Sequence, residues 1–213
     1  MFRRIVVVLA TLTFALGILF TSVFRTASVR YVFSQTPNIS FQEEQGVVLG
    51  ESVEIDYYFR YPGRILPDHP LWFLKVLRDK VWLLLTTNPS RKAELKLLFA
   101  DKRVVSAKIL FERGKPELGV STLTKAEKYL EEACNLEKEN REKGLDTSEF
   151  LSTLTKASLK HRQTIDEILK LAPEEAKPIV IRTQDYSKET YNKTRDALYE
   201  KGLPVPKNPY DTD

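Results

Sequence analysis

The chain has 213 residues, 42% of them apolar and 29% charged, proportions of a folded domain rather than of a disordered or polytopic chain. Its 33 Lys and Arg stand against 29 Asp and Glu, but Arg3, Arg4 and Arg25 flank the apolar N-terminus, and 33 less these three leaves 30 against 29. A remainder so close to neutral offers no basic face to neutralise phosphates, which argues against a nucleic-acid partner.

Residues 5–24, IVVVLATLTFALGILFTSVF, form an uninterrupted uncharged stretch. As a helix these residues rise about 30 Å, the hydrocarbon thickness of a bilayer. A cleavable signal peptide has an apolar region of about 7–15 residues followed by small residues at the cut. Here Arg25 falls in the small-residue slot for a cut after Ala27, and Thr26-Ala27-Ser28 is only a permissible alternative. The expectation is an uncleaved transmembrane anchor over 5–24 with a cytoplasmic tail of residues 1–4. A tail this short, carrying Arg3 and Arg4, stays in the cytoplasm and places the remainder outside it.

Residues 25–67 read as an extended, strand-like juxtamembrane arm. Val53, Ile55, Tyr57 and Phe59 alternate with Glu54, Asp56 and Tyr58, the period of a half-buried strand, and Gly46, Gly50 and Pro62-Gly63 punctuate it.

From Asp68 the period changes to that of helices. Asp68 is the expected N-cap of a first helix, LWFLKVLRDKVWLLL, with Pro70 in its first turn. Asn88-Pro89 caps a second helix that stops at Gly114, and within it Ala93, Leu97, Ala100, Val104, Ala107 and Phe111 recur at heptad spacing. Alanine at alternate positions lets a neighbouring helix approach closely. Pro116 opens the third helix, where Gly119, Leu123, Ala126, Leu130 and Ala133 repeat the small-large pattern; the second and third helices should pack antiparallel. Asp146 and Glu149 are expected to form a capping box for the fourth, whose stripe is Phe150, Leu154, Ala157, His161, Ile165, Ile168 and Ala172. Pro173 interrupts it, Pro178 opens a fifth and more polar helix to about Lys201, and 202–213 is expected to be a mobile tail. Ser-Thr-Leu-Thr-Lys-Ala occurs at 121–126 and again at 152–157, read as reuse of one packing pattern.

Candidate chemistry is sparse. There are two histidines, His69 and His161, and one cysteine, Cys134. No HExxH, CxxC or helical His pair occurs, so no metal is expected. No GxSxG, SxxK or phosphate-cradling glycine loop can be written, so no catalytic residue and no cofactor is expected. A single cysteine excludes an intramolecular disulfide and leaves Cys134 as a candidate for one between two copies, in a homo-oligomer. His161, on an apolar stripe, is the one candidate ligand contact. The aromatic density around the first helix marks Tyr61, Trp72, Phe73 and Trp82 as a candidate interaction patch.

Pro62-Gly63 with Leu66-Pro67-Asp68-His69-Pro70-Leu71, Leu74-Lys75 with Arg78-Asp79, Ala93-Glu94-Leu95 with Ala100-Asp101-Lys102-Arg103, and Gly114-Lys115-Pro116-Glu117-Leu118 follow one another along the chain. Over residues 61–133 the chain resembles the bacterial domain of unknown function 5667 family. That resemblance implies a domain following a membrane segment, and it implies no activity, ligand or site residue.

The expected architecture is all-α: a transmembrane anchor, the arm, then antiparallel helical hairpins forming a four- to five-helix bundle over 68–201. The expected function is a membrane-anchored, extracytoplasmic, non-catalytic interaction module (sensor, scaffold or adaptor) that meets the membrane and an envelope protein or ligand. One rival is a ligand- or metal-binding envelope stress protein similar to small periplasmic chaperones, which a pocket lined by His161 and two carboxylates would favour. Leu123-Thr124 and Leu154-Thr155 lack the glutamine of the repeat those chaperones carry. A second rival is an envelope enzyme, which a concave site with a perturbed acid or base would favour.

Overall fold

The structure, a computed structural model, describes residues 11, 14 and 55–211. The chain falls into two compact units, Met1–Tyr31 and Val32–Asp213. Of the first, only Thr11 and Phe14, both helical, are described. The expected cytoplasmic tail, the anchor over 5–24 as a span and the arm before Ile55 lie outside the described residues. Among the described residues no helix is long and apolar enough to cross a membrane.

The second unit carries five helices: α1 (Trp72–Leu85), α2 (Pro89–Glu112), α3 (Pro116–Glu142), α4 (Ser148–Leu171) and α5 (Lys177–Glu200). Helices α2 and α3 form the most extensive pair, α4 and α5 the next, and α3 against α5 and α2 against α4 complete a four-helix bundle. The α2–α3 connection is tight because Gly114 adopts φ +67°, a left-handed conformation that only glycine enters without strain, and Pro116 starts the next helix directly. The predicted small-large pattern is buried along its length. Ala93, Ala100, Val104 and Ala107 of α2, and Leu123, Ala126, Leu130 and Ala133 of α3, are inaccessible to solvent. At the closed end Gly119 faces the Phe111 ring so closely that an added Cβ would lie 2.8 Å from it.

The repeated hexapeptide packs alike in both copies. Leu123 and Ala126, like Leu154 and Ala157, are buried, and Thr124 and Thr155 each donate to the carbonyl four residues back, at 3.0 and 2.8 Å.

Four local expectations are corrected. Among the described residues there is no strand: Ile55, Tyr57 and Phe59 do point inward while Asp56, Tyr58 and Arg60 point outward, but they lie on helices, Ile55 packing with Leu159 and Tyr191. The arm has the period of a strand without a ladder. Helix α1 begins at Trp72, not after Asp68, because the Asp68 carboxylate is taken by Lys115 and Arg113 at 2.7 and 3.2 Å; the His69 imidazole instead accepts the Leu71 N–H at 3.1 Å. The capping box before α4 does not form. Asp146 accepts from the Ser148 N–H and hydroxyl, and Thr147, at the cap position, donates to buried Glu137 at 2.7 Å. Finally, the tail expected to be mobile is packed over 203–211. Leu203 and Val205 sit on the Leu151, Ala197 and Leu198 cluster, and Tyr210 donates to Asp166 at 3.0 Å beneath the Arg162 guanidinium.

Candidate functional site

Two features depart from an ordinary helical core, one inside the bundle and one on its surface. Inside, α4 carries His161 on its apolar stripe, fully buried. Its Nδ1 lies 2.6 Å from Glu127 Oε1 of α3 and its Nε2 3.1 Å from Asp101 Oδ1 of α2. Tyr57 of the arm donates its hydroxyl to the other Asp101 oxygen at 2.7 Å. Phe59 stands edge-on to the imidazole, ring centroids 5.2 Å apart. Two carboxylate acceptors, one on each ring nitrogen, are both satisfied only by an imidazolium, which donates twice. Burial opposes that charge, but the Glu127 carboxylate and the bonds to Asp101 and Glu127 outweigh it and push His161 up to about 9. Tyr57 is driven far above the ordinary phenol range by burial and by the Asp101 charge. Glu127 Oε2, equally buried, has no hydrogen-bond partner.

This arrangement ties three helices and the arm together, and it is closed at His161 and Glu127. A cleft of about 760 Å³ along α2 reaches Tyr57 and Asp101 but not His161 or Glu127. His161 therefore has its two carboxylates without the pocket that a ligand would need. Among the described residues no group of three or more His, Cys, Asp and Glu side chains is disposed to hold a metal ion. Both imidazole nitrogens already face carboxylates, so neither is placed to activate a nucleophile.

Cys134 lies in the core with Leu97, Leu130 and Leu154, its thiol pushed up to about 11 by burial. For a disulfide to a second copy the sulfur would first have to leave the core.

On the surface, α1 is the most apolar of the five described helices and the least covered. Phe73, Leu74, Leu77, Val81, Leu84 and Leu85 are all exposed, Leu84 at 81% and Leu85 at 72%, and α1 has no helix partner as extensive as those within the bundle. The predicted aromatic patch divides. Tyr61, Phe73 and Trp82 are exposed, and Trp82 also meets Phe99 of α2 edge-on at 6.2 Å. Trp72 is half-buried, with Lys75 over its ring. On the inner side Asp79 is buried and paired with Arg78 at 2.7 Å. Below it the buried Arg103 guanidinium covers the Tyr129 ring at 4.5 Å.

Sequence reasoning found His161 but not Tyr57, Asp101 or Glu127. The signal was available in part: a histidine on an apolar stripe must find partners, and Asp101 and Glu127 each follow a stripe alanine, Ala100 and Ala126, by one residue. Which carboxylates would converge depends on how the helices are rotated about one another, which no single stripe records.

No curated protein and no solved structure matches the chain. Residues 64–175 match the model of a family described as Domain of unknown function (DUF5667), from the loop before α1 to just beyond α4. Those 112 residues (175 − 64 + 1) are more than half of the 213. The chain belongs to that family.

Proposed function

We propose that this protein is a membrane-anchored, extracytoplasmic helical interaction module without catalytic activity, and that the exposed face of α1 is its contact surface. The observation that carries the reading is the run of six large apolar side chains left uncovered on one short helix, whereas the helices of the bundle expose at most one or two each. A contiguous exposed apolar face of this kind marks an interaction site. The buried His161 cluster supports the module's construction, since it joins the arm that precedes α1 to three helices of the bundle. The metal- or ligand-binding rival gains the two carboxylates beside His161, but the cleft reaches only Asp101 of them and neither His161 nor Glu127.

A photoreactive amino acid at Leu84 of the full chain, activated in native membranes, tests this. It should give a discrete crosslinked species that the same probe at Glu189, exposed on α5, does not give. Equal labelling from both positions, or none from Leu84, rejects α1 as the contact surface.

A further inference from the structure

We infer that α1 docks flat on an anionic lipid bilayer, with its apolar face in the acyl-headgroup boundary and a lipid headgroup in the cationic recess beside it. The inference rests on the reading of α1 as the contact surface and names what that surface meets.

Three observations converge. The first is the distribution of side chains around α1. At 3.6 residues per turn, Phe73, Leu84, Leu77, Val81, Leu74 and Leu85 span about 120° of the helix, with Lys80 about 20° beyond one edge and Arg78 about 20° beyond the other. An apolar arc bordered on both sides by cations is what an interfacial helix needs, because the long side chains reach up to the headgroups while the arc enters the acyl region. With 14 residues, α1 rises about 21 Å, too short to cross a bilayer and suited to lying on one.

The second is local charge. Residues 60–85 hold Arg60, Arg64, Lys75, Arg78 and Lys80 against only Asp68 and Asp79. Both carboxylates are engaged, Asp68 by Arg113 and Lys115 and Asp79, buried, by Arg78. The surface presented by this segment is therefore cationic on a domain that is otherwise balanced, which is complementary to anionic lipid and not to a zwitterionic surface.

The third is the recess itself. A hollow of about 430 Å³ between the loop at 61–65 and α1 is lined by Arg64, Lys75, Arg78 and Lys102, with Leu71 and Leu74 at its side and no carboxylate. Lys75 is fixed at its edge by bonds to the Pro62 and Ile65 carbonyls at 2.6 and 3.0 Å. Burial, and then the Lys102 and Arg78 charges against the opposing Asp79, bring Lys75 down to about 8. An anion in the hollow relieves that crowding of like charge. Leu74 belongs both to the hollow and to the apolar arc, so a phosphate held there has its acyl chains on the arc.

The chain provides its own probe. Its only two tryptophans, Trp72 and Trp82, are both on α1. The full chain reconstituted in vesicles of phosphatidylcholine with phosphatidylglycerol should show blue-shifted tryptophan emission, quenched by lipids brominated near the headgroup. In phosphatidylcholine alone both effects should be largely lost. Arg64→Gln and Lys80→Gln should each lower the docked-to-free ratio about fivefold. Leu77→Glu with Leu84→Glu should abolish quenching, and circular dichroism should show the helices intact. Quenching that is equal in the two lipid mixtures overturns the inference. So does an unquenched α1 whose Leu84 probe captures a protein, which leaves α1 as a contact surface but makes the partner a protein. No quenching and no capture overturns both.

Discussion

Leu130 and Leu84 are the same residue on helices of one domain, yet Leu130 is inaccessible and Leu84 is 81% exposed. The helices that carry them differ in apolar content, α1 being the richer, and also in what the apolar residues alternate with. Helix α3 alternates Gly119, Ala126 and Ala133 with Leu123 and Leu130, and α2 places Ala93, Ala100 and Ala107 among its larger residues in the same way. Backbones can then approach and large side chains interlock with small ones. Helix α1, WFLKVLRDKVWLLL, contains no glycine, alanine or serine, so no helix of the bundle can close against it along its length. Apolar residues alone do not decide burial; a complementary surface does.

The largest way to break this contrast is to open the bundle at its one charged joint. His161→Ala leaves the Asp101 and Glu127 carboxylates buried with no cation between them, and breaking such a pair by removing one partner costs about 3–5 kcal/mol. Urea unfolding of the full chain in detergent, followed by circular dichroism, measures it. A variant as stable as the natural chain would show that the carboxylates do not depend on the ring.

The same joint makes stability depend on pH. An unfolded histidine titrates near 6.5, whereas His161 in the fold is raised to about 9. The folded state thus holds a proton that the unfolded state releases. The stabilisation is complete below about pH 6.5 and is lost as pH rises towards 9. Lys75, lowered to about 8, acts oppositely but only above that pH, where the unfolded lysine keeps a proton that the folded one has lost. Between about 6.5 and 8 the His161 slope is therefore unopposed by Lys75, and unfolding free energy should fall by about 1.4 kcal/mol per pH unit. A flat profile across this window, or the same slope in His161→Leu, would remove the imidazolium from the account.

How much of this could be read beforehand follows from the kind of signal each feature leaves. The α2 and α3 stripes, the Asn88 cap, whose side chain accepts the Arg91 N–H at 3.0 Å, and the Gly114 turn are local, written within one or two helical turns. Apart from the capping box, where Asp146 turns to its neighbour Ser148, the errors came from long-range partners. Asp68 looked like a cap until Lys115, 47 positions away, took its carboxylate. Ile55, Tyr57 and Phe59 have a strand's period, but helices, not a second strand, receive them. The tail has no apolar period, and Tyr210 is nonetheless held by Asp166 of α4. The buried cluster falls between these cases. His161 was visible on its stripe, while its partners come from two other helices and were not.

The smallest expected effect bears most directly on the contrast between the two leucines. Leu84→Ala removes as many carbon atoms as Leu130→Ala. At a buried site that truncation costs about 2–5 kcal/mol, because the lost contacts are joined by a cavity. At Leu84 neither term arises: the side chain already meets solvent in the isolated domain, and alanine is the better helix former by a small margin. The unfolding free energy of the full chain in detergent should therefore change by no more than about 0.5 kcal/mol. The same variant should lose part of its tryptophan quenching in anionic vesicles, since the removed atoms contributed to the face that enters the lipid. A residue that matters to attachment and not to folding must show both results together. If Leu84→Ala instead lowers stability by as much as Leu130→Ala, then α1 is covered in the molecule and its apolar face belongs to the core.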